Sequence, residues 1–224
     1  MTTPSITVTY LFDPLCGWCY AAAPALNYLQ GVEVIEVALA PTGLFAGAGA
    51  RPMDAQFAAY AWANDQRIQQ LTGQPFTQAY RDRILGAANG RFDSGPATLA
   101  LTAVAQTAPE RELDALHALQ HARYVEGRDN ADPAVIADVL CSLGLQAAAA
   151  VLQNPMMPCA RPCWSAWRPP APPCSCWVPK ACRNWRLQGR AGRCVWCGVM
   201  HCSGRARHCW RVCRRLRPER SAPR

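Results

Sequence analysis

The sequence is poor in lysine and in long apolar runs. Lys180 is its single lysine, so arginine supplies 22 of its 23 cationic side chains. No stretch carries the ~18 consecutive apolar residues that a membrane-spanning helix needs. The first residues show neither a basic segment nor a long apolar one, which argues against a secretory leader and leads us to expect a cytoplasmic setting. Cysteine is scarce over residues 1–155, where only Cys16, Cys19 and Cys141 occur. Without a second closely spaced pair there, a closed four-ligand zinc site is excluded from that part. His117 and His121 stand four apart on one predicted helix but lack a third ligand, so we read them as ordinary helix residues and expect no metal. Residues 1–155 have no lysine and set 8 arginines against 14 acids, a net charge of −6. That balance carries no nucleic-acid footprint.

The excess of positive charge lies elsewhere. Residues 156–224 hold 14 arginines, Lys180 and one acid, Glu219, for a net charge of +14. They also hold ten of the 13 cysteines, six of the eight tryptophans and nine prolines. The overall charge of +8 is therefore a property of the tail.

Where the chain does have cysteine in its first part, the placement is informative. Ile6-Thr7-Val8-Thr9-Tyr10-Leu11-Phe12 reads as a buried strand, Asp13-Pro14-Leu15 as its turn, and Tyr20, Ala23, Leu26 and Leu29 as one helix face. Cys16-Gly17-Trp18-Cys19 sits at the junction. A cysteine in the first turn of a helix meets unsatisfied N–H groups and the positive end of the helix dipole. Thiol pKa values there fall to roughly 3.5–7.5 from about 8.5. Two intervening residues let the second sulfur close a disulfide on the first. We expect Cys16 to be the exposed attacking thiolate and Cys19 the buried resolving thiol. Gly17 and Trp18 would tune the potential, Gly17 by freeing the turn and Trp18 by shielding the sulfur or meeting substrate. Asp13 is a candidate for proton transfer or a plain strand terminator, and Pro14 fixes the turn. Cys141 reads as a small buried hydrophobe.

Residues 32–39 alternate as a second strand would, which completes a βαβ unit with parallel strands. From Pro52 to about Ala150 helical periodicity dominates. Phe57, Tyr60, Ala61, Ile68 and Leu71 are placed on one face, a shorter segment runs from Phe76 to Leu85, and Ser94 is a candidate cap. The helix from Glu110 to Val125 is stopped at Gly127, and the charges across residues 110–129 read as a solvated face. Asp132-Pro133 is a start signal.

Phe12-Asp13-Pro14-Leu15-Cys16-Gly17-Trp18-Cys19-Tyr20, the βαβ start and the helical insertion together resemble the DsbA-like branch of the thioredoxin superfamily, nearest to bacterial cytosolic proteins described as predicted protein-disulfide isomerases. Phe92-Asp93-Ser94-Gly95-Pro96-Ala97 is similar to a segment of that family's insertion. The resemblance covers about residues 5–155. It implies an α/β, thioredoxin-like fold with an inserted all-helical domain. On that reading residues 1–46 form the N-terminal βαβ half, 47–153 the insertion and 154–224 an aberrant tail. It also implies a helix, a strand ending in Val-Pro with a cis proline beside the cysteines, and two more strands after about residue 155.

The tail, beginning Pro158-Cys159-Ala160-Arg161-Pro162-Cys163-Trp164, does not have that character. Proline suits neither helix interior nor core strand, and few aliphatics remain to bury. We read it as translated out of frame. Back-translating Cys174 to Arg186 and shifting by two bases accommodates Leu-x-Leu-Gly-x-x-Gly-Val-Pro-x-Leu-Ala, the strand and loop the family requires. A nucleotide read across the Gln153–Met157 codons tests this. The expectation is then a tail that is disordered, a sheet missing its C-terminal strands, unpartnered Val8, Tyr10, Val34 and Val37, and an aggregation-prone polypeptide. Cys194-Val195-Trp196-Cys197 with His201, Cys202, His208, Cys209 and Cys213 has zinc-like spacing, and Val178-Pro179 imitates the proline loop; we read both as by-products of composition.

The expected function is that of a thiol-disulfide oxidoreductase, a protein-disulfide reductase or isomerase, using the Cys16–Cys19 pair without a cofactor. Its partners would be a disulfide-containing protein or small thiol substrate and a thiol reductant such as glutathione or a thioredoxin system, with no membrane and no nucleic acid. Two alternatives stand beside it. One is a glutathione-dependent transferase or isomerase of the same superfamily, against which the intact pair speaks. The other is a zinc and nucleic-acid module formed by the tail.

Overall fold

The computed structural model describes residues 6–153 and two strands, Trp185–Gln188 and Cys194–Cys197. Strand β1 (Ile6–Phe12) pairs in parallel with β2 (Ile35–Pro41), Val8 opposite Val37 and Tyr10 opposite Leu39. Between them the chain forms two helices rather than one: α1 (Gly17–Ala21) and α2 (Ala23–Gln30). Pro24 explains the break. It lacks the N–H that would bond Tyr20, and its ring crowds that carbonyl.

The insertion begins with β3 (Arg51–Pro52) and α3 (Ala55–Thr72), whose N-cap Asp54 accepts from the Phe57 N–H and whose end is set by Gly73 at φ 79°. Helix α4 (Gln78–Tyr80) continues into a π-turn over Arg81–Leu85, and β4 (Arg91–Phe92) pairs with β3. Helices α5 (Gly95–Thr107), α6 (Glu112–His121), α7 (Pro133–Ser142) and α8 (Gln146–Gln153) follow, α6 running into a second π-turn over Ala122–Glu126. The start signal at Asp132-Pro133 works as expected: the Asp132 carboxylate accepts from the Ala134 N–H at 2.8 Å.

Two strands of the tail join the sheet. Strand β5 (Trp185–Gln188) runs antiparallel to β1, and β6 (Cys194–Cys197) antiparallel to β5, giving the order β2-β1-β5-β6. Among the described residues the later part of the sheet is these two strands of four residues each. Four residues of backbone suffice for a ladder, because ladder bonds ask nothing of side-chain character. The rest of residues 154–224 lies outside the described residues, and with it Val178-Pro179 and the His and Cys positions from His201 onward.

Val8 and Tyr10 are not left without partners. They are 1% and 0% exposed, and they share one aliphatic cluster with Leu26 of α2, Leu101 and Val104 of α5, Leu116 and Leu119 of α6, and Ile136 and Leu140 of α7. The insertion itself covers β1. A second cluster is aromatic: Leu15, Tyr20, Ile68, Phe76, Tyr80, Phe92 and Tyr124, with Trp18 packed against it. Tyr60 and Leu71, expected on the buried face of α3, are 69% and 59% exposed. Phe57, Ala61 and Ile68 do turn inward as expected, and Asp65 joins them.

Candidate active site

Both cysteines lie where β1 hands over to α1. Cys16 is the N-cap of α1, with extended backbone at φ −86° and ψ 115°, and Pro14 stands in the turn before it, closed by a bond from the Cys16 N–H to the Asp13 carbonyl at 3.1 Å. The two cysteines are not joined by a disulfide, and Cys16 is half-buried and Cys19 buried. The Tyr10 hydroxyl donates to the Cys19 carbonyl at 3.0 Å and ties the first helical turn to β1.

The two thiols titrate as a pair. A hydrogen bond between them, and then burial, push Cys16 well above the ordinary thiol value, whereas the same bond lowers Cys19. That direction runs opposite to the lowered value expected for Cys16. Helix α1 has only five residues, and a thiol donating directly to its neighbour outweighs so short a dipole. Within the pair the outer thiol therefore favours its protonated form, and the inner one is the more readily ionised.

Asp13 does more than end a strand. Its carboxylate is 1% exposed and accepts from the Leu15 N–H at 2.9 Å, the Phe45 N–H at 3.0 Å and the Ser94 hydroxyl at 2.7 Å. Burial raises its pKa, and these three bonds pull against that rise. Asp13 thus staples the redox turn to the loop after β2 and to the start of α5. Ser94 was expected to cap α5 with its side chain; it makes no such bond, since its hydroxyl is committed to Asp13.

Gly17 is needed for space, not for turn freedom. A Cβ there would lie 2.5 Å from Asp65 Oδ1 and 3.2 Å from Ile68 Cδ1. Asp65 is 5% exposed, accepts from the Tyr80 hydroxyl at 2.9 Å, and is pushed by burial up to about 7. Arg123 is fully buried, its guanidinium 5.6 Å from the centre of the Tyr80 ring and 5.4 Å from that of Phe92, and bonded to Asn130 at 3.2 Å. It belongs to the segment read as a solvated face, which the structure corrects: its charge lowers both Asp13 and Asp65. Tyr124 beside it donates to the Leu15 carbonyl at 2.7 Å, immediately before Cys16.

The remaining sequence candidates stand apart from this cluster. Cys141 is exposed on α7, not buried, because the helix turns Val139 and Leu140 to the core. His121 is exposed and pairs with Glu126 at 3.1 Å, while His117 is half-buried and lowered by desolvation. Sequence reasoning missed Ser94, Asp65, Tyr80, Arg123 and Tyr124. Only Asp65 gave a signal, an acid spaced between Ala61 and Ile68 on an apolar face.

Residues 7–156 match the family model of the DSBA-like thioredoxin domain. The chain belongs to this family. Among solved structures it is similar to the cytosolic disulfide reductase DsbM from Pseudomonas aeruginosa, with 35% identity and a TM-score of 0.57 over 66% of this chain and 72% of that one. A structure of the same DsbM with GSH matches equally, over 66% and 73%. A Nitrosomonas europaea protein assigned as a protein disulfide isomerase matches at 26% identity and a TM-score of 0.56, over 66% and 71%. No curated protein sequence matches the chain. This DSBA-like domain has the thioredoxin-like fold with a helical insertion, and its structural neighbours are disulfide reductases and isomerases. Among the described residues no helix is long and apolar enough to cross a membrane.

Proposed function

We propose that this DSBA-like protein is a cytoplasmic thiol-disulfide oxidoreductase that works in the reducing or isomerising direction. The observation that carries this reading is the asymmetry of the pair: Cys16 half-buried at the helix cap, Cys19 buried one turn behind it and hydrogen-bonded to it. Cys16 attacks a substrate disulfide while passing its proton along the hydrogen bond to Cys19. One substrate sulfur is bonded to Cys16, and the other departs as a thiolate that picks up a proton. Cys19 then attacks the Cys16 sulfur, the second substrate thiol leaves, and the electron pair has moved from the protein to the substrate. The resulting Cys16–Cys19 disulfide is reduced again by a thiol such as glutathione or by a thioredoxin system.

The likeness to a cytosolic reductase, including its GSH-containing structure, supports the reducing direction and a small thiol partner. Reducing compartments favour that direction on general grounds. The glutathione-transferase alternative fits less well, because a buried resolving thiol has no part in it. A zinc and nucleic-acid role would need, besides Cys194 and Cys197 of β6, the positions from His201 onward, which lie outside the described residues. Turnover of insulin disulfides with glutathione tests the proposal: the native protein should reduce insulin, and Cys16→Ser should not. Retained activity in Cys16→Ser would remove the proposed nucleophile.

A further inference from the structure

Asp65 has no part in the exchange steps above, yet it abuts the redox motif. Its Oδ1 occupies the space where any side chain at position 17 would begin, directly beside the residue that follows Cys16. The carboxyl comes from α3 of the insertion, not from the strand or helix that carries the cysteines. Its other oxygen is held by the Tyr80 hydroxyl from α4. The charged and titratable groups that act with it are Tyr80, Arg123 and Tyr124 on the insertion side; across Gly17 lies the turn of the Cys16–Cys19 pair, on which the buried Asp13 carboxylate also acts.

We propose that Asp65 is a positioning residue for the redox pair, whose carboxylate disfavours the neighbouring thiolate and so holds the Cys16–Cys19 couple in a more reducing state. This rests on the redox role proposed above. A negative charge packed against the redox turn, in a buried setting, raises the cost of ionising a thiol of that turn. Thiolate stabilisation favours the reduced form of a dithiol, so its removal makes the couple a weaker oxidant and a stronger reductant. The coupling is reciprocal. Closing the disulfide removes the thiolate, so Asp65 loses its proton more readily in the oxidised protein than in the reduced one. Burial lifts Asp65 to about 7, so this exchange falls in the physiological range. The helical insertion would thus set the direction of a reaction whose sulfur chemistry lies in the thioredoxin-like part.

The test is a pH titration of thiolate absorbance and a glutathione redox titration on the full chain, native and Asp65→Asn. The expected result is an apparent thiol pKa lower by about one unit in Asp65→Asn, and a potential ~30 mV less negative, the equivalent of that tenfold change. The native protein should also show an inflection near pH 7 that the variant lacks. Tyr80→Phe supplies a second arm should Asp65→Asn fold poorly. Loss of the hydroxyl that favours the ionised carboxyl should move that inflection upward. Matching titrations in native protein and both variants would overturn the inference. Failure of the redox role itself is read separately, as absence of insulin reduction by the native protein, and the thiolate titration tests Asp65 in either case.

Discussion

The redox tetrapeptide stands between two cores of unlike chemistry. On one side Cys16 and Cys19 meet an aliphatic cluster of Val8, Leu26, Leu101, Leu116 and Ile136, without a charged member. On the other side Leu15, Trp18 and Tyr20 meet the aromatic cluster, laced with Asp65, Tyr80 and Arg123. The first holds the sulfurs in place by packing, helped by the bond from the Tyr10 hydroxyl to the Cys19 carbonyl. The second brings titratable groups to the same four residues. One side of the motif is mechanical support, and the other is electrical control.

Each side can be broken separately. The largest effect should come from the motif itself: Cys16→Ser is expected to lower insulin reduction at least ~100-fold, since no other described thiol stands beside Cys19. On the aliphatic side, Leu116→Ala removes a fully buried side chain and should cost about 2–5 kcal/mol in denaturant unfolding, with the thiol titration unchanged in the folded state.

On the aromatic side the expected signature is a pH dependence. Asp65 rises from its ordinary value of 3.8 to about 7 through burial. Between those limits the folded protein holds a proton that the unfolded chain releases. Stability should therefore be greatest below about pH 4 and fall as pH rises through about 7, by a few kcal/mol at most. Thermal unfolding at pH 5 and 7.5 measures this, and Asp65→Asn should flatten the decline. A midpoint that rises over that interval would contradict a protonated buried carboxyl. The junction between the two sides is Asp13, and Ser94→Ala, which leaves its carboxylate with one donor fewer, should cost about 1–3 kcal/mol. The smallest effect is reserved for Cys141→Ser: an exposed thiol remote from the pair, whose loss should change stability by less than ~0.5 kcal/mol and activity not at all.

The mechanical side was the more legible in the sequence. Alternation marked β1, apolar spacing marked the helices, and Asp132-Pro133 placed the start of α7, because each is a local pattern with a local cause. The cysteine pair was visible for the same reason. The electrical side was hidden, since it is made by residues far apart in the chain. Ser94 looks like a helix cap until Asp13 claims its hydroxyl, and Arg123 looks solvent-facing until three aromatic rings enclose it. Gly17 suggested a flexible turn, but its reason is the carboxyl of a residue 48 positions later. The cover of β1 was misread too. The family pattern points to later strands as its partners, whereas among the described residues the insertion's own helices α5, α6 and α7 supply apolar cover.

The division of labour between Cys16 and Cys19 is open to one direct measurement. With Cys19→Ser, a disulfide substrate such as oxidised glutathione should leave a stable mixed disulfide, and mass spectrometry of the digested protein should find it on Cys16. An adduct on Cys141 alone, or none in the native protein and the variant, would contradict Cys16 as the attacking thiol and the account built on it.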